Sequence, residues 1–428
     1  MGKDVAVSWG RLPGESGSLT SNLSTFAHGN NVLPRGMGRS YGDVCTNAGG
    51  TLVSTALLNK FLAFDPDSGL LTCESGVTIS DIQHTFISRG WMSPVTPGTQ
   101  FVSIGGAIAN DVHGKNHHVM GTFGHHVVSL VLMRTSGEVL TCSPSENADL
   151  FRATIGGLGL TGLILQATIQ LKRVPGPWLD AENVVFSGIS DFLAISDASE
   201  STWDYSVAWI DCSRFTKARG IFMRGNSADH PERTLPKERQ ITFPINPPFS
   251  LVNKLSTRVI SSGYYTLNRR KPEQQVVHYQ PFFYPLDGIR QWSRMYGNKG
   301  FYQHQSVIPR TTGETVLNEM LTCIQRSGQG SFLSVLKTFG NRESLGMLSF
   351  ARSGITLALD FPNLGARTLS LLDSLDEIVM AAGGAINPSK DARMSRETFE
   401  ASFPQLEEFT QYRDAGISSG LSRRLLGS

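Results

Sequence analysis

Gly157-Leu158-Gly159-Leu160-Thr161-Gly162 is the stretch whose context decides the fold. Its letters match G-x-G-x-x-G, the turn that sets a dinucleotide pyrophosphate on a helix N-terminus, provided that a strand precedes it and a helix follows. Here the order is reversed. Asn147–Ala153 reads as a helix, and Leu163–Leu171 alternates apolar and polar residues as a strand does. A Rossmann NAD domain is therefore disfavoured, and the glycines need another use.

Two further glycine clusters lie upstream: Arg35-Gly36-Met37-Gly38-Arg39-Ser40-Tyr41-Gly42-Asp43, and Pro97-Gly98-Thr99 running to Gly105-Gly106. One such cluster alone is most simply a tight turn. Three within 130 residues suggest backbone amides turned toward an anion, with the main chain close against a large ligand.

The rest of the chain is compatible with a soluble two-domain protein. It has 428 residues, of which 40% are hydrophobic, 17% charged and 44 glycine, and this excludes disorder. Thirty-eight basic against 36 acidic side chains leave +2, too little for a nucleic-acid-binding field. Cys45, Cys73, Cys142, Cys212 and Cys323 are scattered, so neither a disulfide framework nor a zinc site is indicated and reduced cytoplasmic thiols fit best. MGKDVAVSWGRLPGESG lacks a signal peptide's apolar core, and no run approaches a bilayer span.

Thr51–Ser54, Phe61–Phe64 and Leu70–Glu74 read as strands. A helix follows, with Ser80 as its cap, Ile82 and Phe86 on the buried face, and Gly90 past its end. Val127–Met133 and Glu138–Cys142 form a hairpin. Near Val174 the texture changes, and His230–Pro248 is the most linker-like segment. Beyond it come a helix with Val316, Leu317, Met320, Leu321 and Ile324 inward, strands Phe332–Phe339 and Ile355–Phe361, and a helix with Leu369, Leu372, Leu375 and Val379 inward. The order implies an antiparallel sheet covered by helices.

Five of the ten histidines fall in fourteen residues: His113, His117, His118, His125 and His126. A histidine-rich metal-binding module is one reading, but no cysteine or glutamate pair completes a ligand set. The small residues beside His113 suit a backbone pressed against a planar ligand, with His117, His118, His125 and His126 structural.

GMGRSYGD, PGTQFVSIGGAIANDVHGKNHH, LFRATIGGLGLTG, FYQHQSVIP, FLSVLKTFG and PSKDAR together resemble the vanillyl-alcohol-oxidase-like (p-cresol-methylhydroxylase-type) FAD flavoproteins, in the polyprenylphosphoryl-ribose-oxidising subgroup. The resemblance is collinear over nearly the whole chain. It implies an α+β, two-domain fold: an FAD-binding domain over 1–176, a substrate domain with a central antiparallel sheet over 177–384, and a return to the first domain over 385–428. It also implies FAD contacts from Arg35, Gly36, Met37, Gly38, Arg39, Ser40, Tyr41, Pro97, Gly98, Thr99, Gly105, Gly106, Ala109, Asn110, His113, Gly114, Asn116, His117, Gly159 and Gly162. Arg39 stands where many relatives carry the histidine that bonds the flavin, so noncovalent FAD is implied.

The implied reaction oxidises the ribose 2′-hydroxyl of a polyprenylphosphoryl-β-D-ribose to a ketone, the first half of an epimerisation toward the arabinose donor of bacterial cell-envelope glycans. A separate NAD(P)H-dependent keto-sugar reductase is the implied partner, with quinone or oxygen as electron acceptor. Lys390 and His113 are the implied catalytic residues, and Tyr41, Gln303, Gln305 and Lys337 the substrate contacts. Ala358 departs from the cysteine of mycobacterial members, and Asn387 from a tyrosine. An oxidase of a sugar lactone or 2-hydroxy acid is the alternative. A lipid substrate also implies peripheral membrane contact. Phe249–Lys271, with Leu251, Leu255 and Val259 at helical spacing, Val252 beside them, and Lys254, Arg258, Arg269, Arg270 and Lys271 as cations, reads either as an interfacial helix or flap or as a helix packed on the central domain.

Overall fold

The computed structural model describes residues 7–13, 17–213, 218–236, 241–331 and 333–427. Two antiparallel sheets organise them into an α+β fold. The first has the order Phe61–Phe64, Leu70–Glu74, Leu163–Gln170, Val127–Met133, Val139–Cys142. Alternation builds it: Leu71 and Cys73 are buried while Thr72, between them, meets Thr168 across the ladder at 2.9 Å. Beside it, Ser18–Thr20, Thr51–Ser54 and Val32–Arg35 form a small parallel sheet.

The fingerprint-like turn lies between helix Ala148–Thr154 and strand Leu163–Gln170, so its order is that of helix to strand. Its amides are partly used inside the protein: Gly156 N donates to Ile108 O at 2.9 Å and Leu158 N to Ala109 O at 2.7 Å. The helix Ile79–Phe86 is capped by Thr78 and not by Ser80. Thr78 is extended and has Asp81 three residues on, so a reciprocal capping box forms, while Ser80 is buried beside His84.

The second sheet has eight strands in the order Gln274–His278, Trp178–Ser187, Arg219–Ala228, Tyr205–Ile210, Ser334–Phe339, Gly354–Pro362, Phe301–Ile308, Ala385–Ile386, every neighbouring pair antiparallel. Phe332, the expected start of one strand, lies outside the described residues, as do the first six residues and 237–240 of the linker-like segment. Helices Ile189–Ser199, Gly313–Ser327 and Ala366–Ala381 cover one face. The last helix buries Leu371, Leu372, Leu375 and Val379, and Leu369 is only half-buried because Thr368 and Leu371 hold that edge of the stripe.

Strand periodicity then assigns the two faces. On Phe301–Ile308, His304 points to the helix layer, where Nε2 meets Asp376 at 3.0 Å, so Gln303 and Gln305 point the other way. After the edge strand the chain returns to its beginning. Ser418 N donates to Val32 O, Gly420 N to Thr46 O, and Arg424 pairs with Asp43 at 2.9 Å.

Candidate active site

Between the open face of the large sheet and the glycine loops lies a cavity of ≈ 1030 Å³, roomier than the ~300–1,000 Å³ typical of a small-ligand site. Arg35, Gly36, Met37, Gly38, Arg39, Ser40, Tyr41, Pro97, Gly98, Thr99, Gly105, Gly106, Ala109, Asn110, His113, Gly114, Gly159 and Gly162 all border it, from one side. Gln303, Gln305, Lys337 and Lys390 border it from the other. Two expected contacts do not. Asn116 is fully buried behind the wall, its amide donating to Pro94 O at 2.7 Å, and His117 packs its ring 4.4 Å from that of Phe339. The one-turn helix His117–Met120 rotates both away from the cavity. His118, His125 and His126 are held by the carbonyls of Trp203, Glu343 and Met120.

The glycine side is shaped for close approach. A Cβ on Gly36 would sit 2.2 Å from Ser103 Oγ, whereas Gly98 and Gly159 face open space. Buried Ser75 Oγ, Thr96 Oγ1 and Asn110 Oδ1 border the cavity without partners, which is the state of polar groups made to meet a polar ligand. Arg39 lies 4.7 Å over the Trp9 ring. Burial lowers its pKa against the opposing charge of Asp287, and a guanidinium stays charged even so.

The sheet side carries the chemistry. Strand register sets Gln303 opposite Asp360, Gln305 opposite Ala358, and Lys337 opposite Thr356. Gln305 is fixed on three sides: its Oε1 accepts from Asn387 at 3.0 Å, and its Nε2 donates to Thr356 Oγ1 and to His113 Nε2, each at 3.0 Å. An amide nitrogen only donates, so His113 Nε2 accepts and the proton sits on Nδ1. Burial first, then the charges of Lys337 and Lys390, hold His113 well below the usual imidazole range. It is therefore neutral, and its nitrogen not bonded to Gln305 is a donor.

Asp360, which sequence reasoning missed, is fully buried and accepts from Gln303 Nε2, while Oδ2 has no partner. Burial pushes its carboxyl up, opposed by Gln303 and the charge of Lys390. Burial likewise pushes Lys390 down, opposed by Asp360, and its Nζ lies 5.2 Å from the Tyr41 ring centre. Tyr41 itself is raised well above the usual phenol range, by burial before any neighbour. Lys337 and Lys115 are each pushed down to about 7 by burial. Their amines meet backbone carbonyls and aromatic rings but no carboxylate among the described residues, Lys337 Nζ meeting Gly114 O at 3.4 Å and lying over Phe339, and Lys115 Nζ meeting Phe282 O and lying over the Phe282 ring. Three lysines thus face one cavity, a distribution that an anionic ligand would stabilise.

Residues 21–143 match an FAD binding domain family. Decaprenylphosphoryl-beta-D-ribose oxidase of Mycolicibacterium smegmatis is 36% identical over 415 residues, covering 93% of this chain and 89% of that protein. The chain belongs to that family of FAD flavoproteins. An uncharacterized protein encoded in the mprA 5′ region of Streptomyces coelicolor is 30% identical over 82% of this chain and all of its own length. L-gulonolactone oxidase of Mus musculus is 33% identical over 138 residues, 32% of this chain. Membership makes the protein an oxidoreductase with FAD as its cofactor, and the glycine loops with the unpartnered side-chain oxygens of Ser75, Thr96 and Asn110 fit that cofactor. Ala358, paired with Gln305 across the strands, gives this wall a small, unreactive floor.

Proposed function

We propose that the protein oxidises the 2′-hydroxyl of a polyprenylphosphoryl-β-D-ribose to the 2′-ketone. The observation that carries this reading is that Gln303, Gln305, Lys390 and the buried amine of Lys337 border the same cavity. Such a set supplies hydrogen bonds for a sugar and an amine that an incoming phosphate would favour in its charged form. A neutral lactone gives no use for Lys337, and the lactone-oxidase likeness spans 32% of the chain.

Bound FAD supplies the hydride acceptor for the sugar's C2′–H. Lys390, its ammonium form disfavoured by burial, takes the 2′-hydroxyl proton at Nζ as a neutral amine. The ammonium that results is stabilised by Asp360 and lies where negative charge develops. His113, whose Nε2 is held by Gln305, donates from Nδ1 and so orients the substrate instead of acting as its base. Gln303 and Gln305 orient the sugar, Tyr41 closes the cavity beside Lys390, and Lys337 meets the phosphate.

The remaining parts of the reading follow from the same substrate. FAD is held without a covalent bond, as Arg39 implies. Residues 1–176 and 385–428 form the cofactor domain, and 177–384 the substrate domain. A separate NAD(P)H-dependent reductase consumes the ketone, and quinone or oxygen takes the electrons. The protein acts in the cytoplasm at the inner membrane as a peripheral protein; no helix among the described residues is long and apolar enough to cross it. Anaerobic addition of a prenylphosphoryl-β-D-ribose should bleach the flavin and give a product lighter by two hydrogens. A flavin unbleached by this compound but bleached by a lactone would replace the reading with the lactone one.

A further inference from the structure

The helix Lys254–Asn268 is amphipathic in the inverted sense. Its buried positions are Thr257, Ser261 and Asn268, and the same side carries Tyr264, packed 4.8 Å from Trp209. Ile260, Ser261 and Tyr264 border the active-site cavity. The opposite side presents Leu255 (73% exposed), Val259 (65%) and Leu267 (68%) to solvent, where an ordinary surface helix would carry its polar residues. Of the two readings of this segment, neither alone is adequate: the helix packs on the substrate domain, but through its polar face. Val252, expected beside the apolar stripe, is buried instead.

The chain leading into the helix is rich in exposed apolar side chains as well. Leu235, Ile241, Ile245, Phe249, Leu251 and Ile260 are also exposed, so nine of the twenty exposed large apolar side chains among the described residues fall within 235–267. Single exposed apolar residues need no explanation, whereas such a concentration in one segment does. Charge identifies the occupant. From residue 239 to 272 the sequence has Arg239, Lys254, Arg258, Arg269, Arg270 and Lys271 and no acid, although the whole chain carries only +2. A second copy of the chain, meeting this face about a twofold axis, would set the same cations against one another. An anionic bilayer accepts both features, the apolar side chains at the acyl boundary and the cations among the headgroups.

We propose that this face docks the protein on anionic lipid, and that the helix serves as a common wall, its apolar side in the membrane and its polar side in the active site. The proposal deepens the functional reading, because a polyprenyl tail then reaches the cavity without leaving the bilayer.

Holoprotein is sedimented with sucrose-loaded vesicles of phosphatidylcholine and phosphatidylglycerol, and with phosphatidylcholine alone, at low and at physiological salt. Wild type should sediment with the anionic vesicles and less so as salt rises. The triple variant Arg269→Glu, Arg270→Glu, Lys271→Glu should partition at least ~100-fold more weakly, since each headgroup-level cation contributes roughly fivefold. Leu255→Gln with Val259→Gln, two side chains free of packing, should weaken it at unchanged thermal stability. Equal sedimentation of wild type and both variants would overturn the proposal, as would light scattering that shows a dimer abolished by the leucine and valine changes. A water-soluble, short-chain prenylphosphoryl-ribose separates the two readings. Vesicle binding without flavin bleaching by this compound would sink the substrate assignment and leave the docking face standing; bleaching without vesicle binding would do the reverse.

Discussion

Replacing Asp360 with asparagine tests whether the buried carboxylate sets the proton affinity of Lys390. The change is nearly isosteric, and Gln303 Nε2 retains an oxygen to which it can donate. The backbone bond from Asp360 N to Ser331 Oγ at 2.8 Å is untouched. What disappears is the charge that favours the Lys390 ammonium. A full unit charge within the ~4–6 Å over which neighbours shift a pKa contributes about 3–4 kcal/mol at an effective dielectric near 20, or about two to three pKa units. Burial raises Asp360, so near neutrality it carries part of that charge, and a downward move of about one unit in Lys390 follows. The assay is anaerobic flavin reduction by saturating prenylphosphoryl-ribose as a function of pH. In wild type the rate should fall on the acid side as Lys390 gains its proton, with a midpoint below the ordinary lysine value of about 10.5. In Asp360→Asn that limb should lie about one unit lower, so at acid pH the variant keeps more of its own plateau rate. Stability should move separately. A carboxyl raised in the fold costs stability as pH climbs from its unfolded value through its folded one, so removing it leaves the melting temperature at alkaline pH unchanged or higher. A limb that stays in place, or moves upward, would refute the coupling.

Lys390→Ala should retain yellow FAD and slow flavin reduction by ~10²–10⁴-fold, the usual weight of a general base, and single-turnover reduction at the wild-type rate would remove Lys390 from the chemistry. Acid precipitation should release the flavin into the supernatant, because Arg39 offers no covalent link; colour remaining on the polypeptide contradicts this. Lys337→Gln should raise KM for a prenylphosphoryl sugar by ~10-fold or more while leaving kcat nearly unchanged, the pattern of lost uniform binding. Equal losses in both constants would instead place Lys337 in the transition state.

Local patterns were legible wherever one residue decided them. The reversed order around Gly157–Gly162 excluded a Rossmann turn, and two-residue alternation put Gln303 and Gln305 on the same side of their strand. Failures came where two candidates competed at short range, as with Ser80 against Thr78, where the capping acid Asp81 is three residues from the threonine. Asn116 and His117 belonged to the right motif, but a single helical turn took them behind the wall. Asp360 was the costliest omission. Its strand, Gly354–Pro362, is buried throughout, so ITLALDFP looked like core. A lone acid inside such a run was itself a signal, since carboxylates are almost never fully buried without a partner. The partner, Gln303, is 57 residues away and becomes visible only through strand register.

The C-terminal return explains how a lysine late in the sequence is held against loops from its beginning. Asp391, next to Lys390, accepts through Oδ2 from the backbone amides of Arg393 and Met394 at 2.8 and 2.7 Å. Arg424 lies 3.3 Å from the same oxygen and forms a two-point bond with Asp43, just beyond the Arg35–Gly42 loop. A Cβ on Gly42 would fall 1.6 Å from Asp391 O, so the two loops touch backbone to side-chain position. Arg424 therefore fixes the distance between the lysine loop and the cofactor loop. Arg424→Met leaves Asp43 and Asp391 facing each other unneutralised. Breaking such a pair costs about 3–5 kcal/mol when fully buried, and less here, because Arg424 is 23% exposed. Beyond this loss of stability, flavin reduction should slow by roughly tenfold, since an angstrom-scale displacement of a catalytic group costs up to ~10²-fold. FAD content should hold, and Arg424→Lys should restore much of the rate by returning the charge. Acidification should also narrow the deficit, because burial raises Asp43 and protonating it relieves the repulsion. A variant that melts earlier yet reduces its flavin at the wild-type rate would show that the return stabilises the fold without positioning Lys390.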